Sequence, residues 1–99
     1  MLSKNQLKLV RSLELKKNRR REGLFVAEGP KVVGDLLRAG FIPHSIFSTM
    51  EREGAQLVTE EELRRLSFLQ HPQEVLAVLE IPSDATSAIS HIGHQPSVF

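Results

Sequence analysis

Residues 19–40, RRREGLFVAEGPKVVGDLLRAG, decide how this chain folds. Leu24, Phe25, Val26 and Ala27 form an unbroken apolar run, which suits a strand covered on both faces rather than a half-wet edge. Glu28 closes the strand, and Gly29–Pro30 opens a helix. Gly29 caps it, while Pro30 at the first helical position gives up only a donor that would be unpaired anyway. Val32, Val33, Leu36 and Leu37 then share one stripe, Lys31, Asp35 and Arg38 face outward, and Gly40 supplies a left-handed stop.

Working toward the C-terminus, residues 45–49 (SIFST) read as a short strand carried by Ile46 and Phe47. Residues 50–54 (MEREG) form a polar connection, and AQLV at 55–58 reads as another short strand. Thr59 followed by Glu62 is a capping box, opening a helix that buries Leu63 and Leu66. After a turn at 71–73 (HPQ), VLAVLEI at 75–81 is the strongest buried-strand signal in the chain. This alternation implies a layered α/β domain, residues 1–81, with helices on both faces of a small sheet. Residues 82–99 show no period and read as a linker or disordered tail.

Working toward the N-terminus, residues 3–15 form an amphipathic helix. At 100° per residue Lys4, Lys8 and Arg11 fall within about 60° of one another, opposite Leu7, Leu9, Val10 and Leu13. KKNRRRE, residues 16–22, has no apolar residue to anchor it to a core. It is either a solvated helical turn or a basic loop, ended by Gly23. The run places five cations (Lys16, Lys17, Arg19, Arg20 and Arg21) in six residues, beside the Lys4–Lys8–Arg11 face. Such a run is costly unless counter-charge arrives, and phosphates supply it with release of condensed ions. Arginine adds forked donors suited to phosphate oxygens. The plainer alternative is a solubilising surface run.

The net charge of +1 hides an asymmetry that favours the nucleic-acid reading. Residues 1–38 hold ten Lys/Arg against four Asp/Glu, net +6, and residues 39–99 hold three against eight, net −5. With no Trp or Tyr, and with Phe25, Phe47 and Phe68 in apolar runs, base stacking on a sheet surface is not indicated. Backbone and shape contacts to a folded RNA fit better, although DNA is not excluded by this route.

Other chemistry finds little support. The chain has no cysteine, which removes disulfides and thiolate metal sites. His91 and His94 have an H-x-x-H spacing without a third ligand, so no metal is expected. His44 and His71 sit beside prolines in turns. GPKVVG is no phosphate loop, because Gly34 lies mid-helix and is followed by Asp35. Nothing in the chain looks catalytic. No apolar run approaches the roughly 18 residues of a membrane span. MLSKNQLKLV is too broken by polar residues for a signal peptide, so a cytoplasmic location is expected.

The string RRREGLFVAEGPKVV, preceded by KNQLKLVRSLELKK, resembles the start of the SpoU (TrmH-like) RNA 2′-O-ribose methyltransferases. VTEEELRRLS and HPQEVLAVLE are similar to the last helix, Pro-Gln turn and final strand of the same N-terminal substrate-binding domain, so the likeness covers about residues 2–82. The resemblance implies a small three-layer α/β/α sandwich with a mixed sheet of about four strands, similar to kink-turn-binding ribosomal proteins. It implies a grip on structured ribosomal or transfer RNA by Lys17, Arg19, Arg20, Arg21 and Lys31, with Glu28 and Gly29 shaping the turn beside them. Lys4, Lys8, Arg11 and Lys16 join the candidate contacts from the charge pattern. The resemblance further implies that S-adenosylmethionine, catalysis and homodimerisation belong to a parent protein's missing catalytic domain, since the 17 residues after Pro82 cannot hold one. One position departs from the family: Glu74 stands where glycine usually follows the Pro-Gln pair. Two other readings remain, a standalone structured-RNA-binding protein of the kink-turn ribosomal type and a protein-interaction domain whose basic run only keeps it soluble.

Overall fold

A computed structural model of the 99-residue chain describes residues 2–82. The segment read as a linker or tail beyond Pro82, with His91 and His94, lies outside the described residues. The elements are α1 (Lys4–Ser12), α2 (Lys16–Glu22), β1 (Leu24–Glu28), α3 (Pro30–Arg38), β2 (Pro43–Ser48), β3 (Gln56–Leu57), α4 (Glu60–Leu66) and β4 (Val75–Glu80).

Strand order is β1-β4-β2-β3, with β4 antiparallel to both neighbours and β2 parallel to β3, so the sheet is mixed. Side-chain alternation along these strands builds two cores. Leu24, Phe47, Leu76 and Val78 point to one face, where Val10 and Leu13 of α1 and Leu63 and Leu66 of α4 cover them. Phe25, Ala27, Val75, Ala77 and Leu79 point to the other, covered by Val33 of α3 with Leu36 and Phe41 against it. The ring of Phe25 meets that of Phe41 edge-on at 5.7 Å. Three layers result, as the element order implies.

The apolar run of β1 is covered on both faces as expected, yet β1 is an edge of the sheet, its ladder pairing only with β4. Buried faces and a buried edge are separate properties, and periodicity reports only the first. The doubly buried central strand is β4, from Val75 to Leu79 all at 2% exposure or less. β2 begins at Pro43 rather than after it, and a register shift between Pro43 and Ser45 accommodates a residue without a donor at the strand's start. β3 is only two residues, shorter than the apolar content of 55–58 suggests.

The expected capping box at α4 is formed, and a second one, not read from the sequence, opens α1. At α1, Ser3 Oγ accepts from Gln6 N at 3.0 Å and Gln6 Oε1 accepts from Ser3 N at 2.9 Å. At α4, Thr59 Oγ1 accepts from Glu62 N and the Glu62 carboxylate accepts from Thr59 N at 2.9 Å. That backbone bond, aided by one from Leu2, holds the Glu62 carboxyl below its ordinary value despite some loss of hydration. Because the folded value is depressed, the contribution to stability is present above the ordinary glutamate value of about 4.3 and fades as pH falls through the lowered one. Hydrogen exchange of the first α4 amides is therefore expected to rise relative to the other helices on acidification. Glu62→Gln should remove that pH dependence.

Candidate nucleic-acid interface

The reading that nothing anchors residues 16–22 is corrected by the structure: the segment is a regular helix, α2, and its anchors are polar. Asn18 is buried, and its Nδ2 donates to Ser12 O at 2.8 Å, satisfying a carbonyl at the end of α1. Arg19 is half-buried and its Nη1 donates to Leu13 O at 2.9 Å and Glu14 O at 3.0 Å. These bonds close the corner between α1 and α2. Gly23, at φ 70°, then turns the chain into β1 through the left-handed conformation that glycine adopts without cost.

With Asn18 and Arg19 inward, helical periodicity leaves Lys16, Lys17, Arg20 and Arg21 on a single outward arc of about 140°. All four are exposed, as are Lys4 and Lys8 on α1. Arg21 pairs loosely with its neighbour Glu22 at 3.3 Å. Among the described residues, Lys4, Lys8, Lys16, Lys17 and Arg20 form no ion pair. On α2 the three unpaired cations Lys16, Lys17 and Arg20 share that outward arc, so their charge is left uncompensated there.

The other candidate residues are placed differently. Arg11 shares the Lys4–Lys8 face, but its Nη1 donates to Ser67 O at 2.9 Å, its guanidinium lies 5.3 Å from the Phe68 ring centre, and Glu14 stands at 3.9 Å. Glu28 points into the α1/α4 layer, where its carboxylate accepts from Ser67 Oγ at 2.5 Å and from Phe68 N at 2.9 Å. Together Arg11 and Glu28 tie α1, the end of β1 and the segment after α4 into one unit. Gly29, buried with φ 103°, occupies backbone that L side chains rarely adopt, and its N–H extends the sheet by donating to Val75 O at 2.8 Å. Lys31 lies on α3, in the opposite layer from α1, and pairs with Asp35 at 3.2 Å. Lys31, joined by Arg38, holds the Asp35 carboxyl below its ordinary range. Lys31 is thus separate from the α1–α2 corner.

Glu74, the position out of step with the family, is neutralised: Arg52 Nη2 lies 3.3 Å from its Oε1. Sequence reasoning missed Asn18 and Ser67, whose roles are visible only once partners meet, and the Ser3–Gln6 box, whose S-x-x-Q signature was available. Among the described residues no group of His, Asp or Glu is placed to hold a metal ion, and no helix is long and apolar enough to cross a membrane.

Asn18→Ala is expected to lower stability by about 1 kcal/mol, because it removes a buried bond to Ser12 O and leaves that carbonyl only the longer one from Leu15 N at 3.3 Å. Denaturant titration measures it. A loss below about 0.5 kcal/mol would show that α2 is held by something else.

A three-layer α/β/α domain with this mixed sheet is the architecture of SpoU (TrmH) N-terminal domains. The family follows from the sequence: the model of the MRM3-like substrate-binding domain matches residues 4–77, and the chain belongs to that family. A Porphyromonas gingivalis protein assigned to the TrmH family of RNA methyltransferases is similar at TM-score 0.72 and 33% identity, over 84% of this chain and 37% of that one. An rRNA methyltransferase from Sinorhizobium meliloti, with bound AdoMet, matches at TM-score 0.67 and 28% identity, over 83% of this chain and 35% of its own. The SpoU methyltransferase AviRb from Streptomyces viridochromogenes shares the fold at TM-score 0.54 and 21% identity, over 85% and 36%. The chain therefore spans a little over a third of the length of these solved relatives. No curated protein matches it.

Proposed function

We propose that this domain grips structured RNA, ribosomal or transfer RNA, for a parent enzyme that methylates a ribose 2′-hydroxyl. One observation carries the reading: α2 turns its two polar anchors inward and presents four cations on its outer arc. Four cations on one arc match a phosphate backbone, whose neutralisation supplies most sequence-independent affinity. Arg11, Arg19, Glu28 and Gly29 act as positioning residues that hold the corner and the neighbouring turn. Lys31, on the other layer, is a peripheral contact reached only by RNA that wraps past the end of β1.

Methyl transfer belongs to the rest of the parent, in keeping with the AdoMet bound by the Sinorhizobium meliloti relative. That cofactor presents a carboxylate, a cation, a ribose and an adenine. In the apolar groove beside α3 the one cation, Arg52, is already paired with Glu74, so the residues there leave no free partner for the cofactor's carboxylate. Fluorescence anisotropy of the 99-residue chain with a folded RNA and a DNA duplex tests the reading. Binding is expected at about 10⁻⁴ to 10⁻⁶ M, steeply weakened by salt and tighter for the RNA. Equal or tighter binding to DNA, or none to either, would overturn it.

A further inference from the structure

Away from the basic corner, a cavity of about 440 Å³ opens between the start of α4, the end of β2 and the turn before β4. It lies within the roughly 300–1,000 Å³ typical of small-ligand sites. Apolar lining comes from Met50, Leu63 and Pro72, with Met50 57% exposed. Polar lining comes from Thr49, Glu60, Arg64, Gln73 and Glu74. Glu60 and Arg64 stand one helical turn apart, yet among the described residues neither forms an ion pair, while Arg65 takes Glu61 and Arg52 takes Glu74. The cavity adjoins the Glu28–Gly29 turn, because a Cβ added to Gly29 would meet Gln73 Cγ at 3.5 Å.

Glu60, without an ion-pair partner among the described residues, and the second oxygen of the Arg52-paired Glu74 line the cavity with acceptors that neutral hydrogen-bond donors can satisfy. Base amino groups are such donors. We propose that this cavity is a nucleobase subsite that receives one unstacked base of the bound RNA and favours guanine, cytosine and adenine over uracil. Glu60 and Glu74 accept from exocyclic amines, as acidic side chains do from cytosine N4, whereas uracil has no exocyclic amine and offers only its N3–H flanked by two repelling carbonyls. Met50 and Pro72 contact the ring faces, and the unpaired Arg64 guanidinium meets the attached phosphate. The inference rests on the RNA reading above and adds base preference at a place distinct from the α1–α2 corner.

Amide NMR spectra of the 99-residue chain titrated with GMP, CMP, AMP and UMP test it. Shifts are expected at Thr49, Met50, Gln73, Glu74 and the first turn of α4, with the three amino-bearing nucleotides binding about tenfold tighter than UMP. Glu60→Gln should erase that preference, and Arg64→Gln should weaken all four nucleotides alike. Glu61→Gln, already paired with Arg65, should change neither. Shifts confined to α2, or no preference against UMP, overturn the subsite. If structured RNA binds through α2 while the nucleotides ignore the cavity, the subsite alone falls. If structured RNA does not bind at all, the RNA reading falls and takes the subsite with it.

Discussion

Replacing Lys16, Lys17, Arg20 and Arg21 together by alanine is expected to flatten the salt dependence of RNA binding by up to about four charge equivalents. Each neutralised phosphate contributes roughly 0.7–0.9 to the slope of log affinity against log salt. Between about 50 and 200 mM salt the native chain should therefore lose close to a hundredfold more affinity than the variant, and at low salt the native chain should bind far more tightly. Stability should change little, because all four side chains are exposed and only Arg21 has an ion-pair partner, with surface pairs worth roughly 0–1 kcal/mol. Alanine also favours the helix over lysine or arginine only slightly. Anisotropy at several salt concentrations, beside a thermal melt, reads both quantities. An unchanged slope with an unchanged melt would remove α2 from the interface. Arg19→Ala offers the contrast: it should destabilise the corner, since Arg19 bonds Leu13 O and Glu14 O, while taking far less from the slope.

That contrast marks what could be read from the chain and what could not. The apolar runs at 24–27 and 75–79 announce strands with both faces covered, and Thr59–Glu62 announces the α4 cap, because those signals are local and the residues that carry them also act locally. The sheet order was not legible, since β1 and β4 pair across some fifty residues and hydrophobicity names no partner. The basic run was legible as charge but not as a helix with an inner side. Its anchors, Asn18 and Arg19, reach backbone carbonyls of α1 instead of a core, and a periodicity argument counts apolar residues only. Arg11 is a sharper case: on the helical wheel it is a third exposed cation, and only its bond to Ser67 O, 56 positions away, shows it holding the fold.

Glu28→Ala is the substitution expected to cost the fold most among the motif residues. The carboxylate accepts from Ser67 Oγ and from Phe68 N, 39 and 40 positions away, and Ser67 Oγ in turn accepts from Leu69 N at 2.9 Å. Hydrogen bonds to a charged group are worth about 1.5–3 kcal/mol each, and Phe68 N–H would be left without that acceptor. Allowing for partial solvent access at a half-buried site, the loss is about 3 kcal/mol. For a domain of this size it should lower the melting temperature by roughly 12–24 °C. Glu28→Gln should recover part of that loss: its amide oxygen accepts from Phe68 N, while its NH₂ faces a serine hydroxyl that can turn to accept. The decisive measurement pairs the melt with RNA binding below the transition. If the Glu–Gly turn positions the fold, the alanine variant keeps the native salt slope while it remains folded. A native melt with lost RNA affinity would instead make Glu28 a direct contact, and the acid at the end of β1 would have to reach a base or a ribose hydroxyl rather than Ser67.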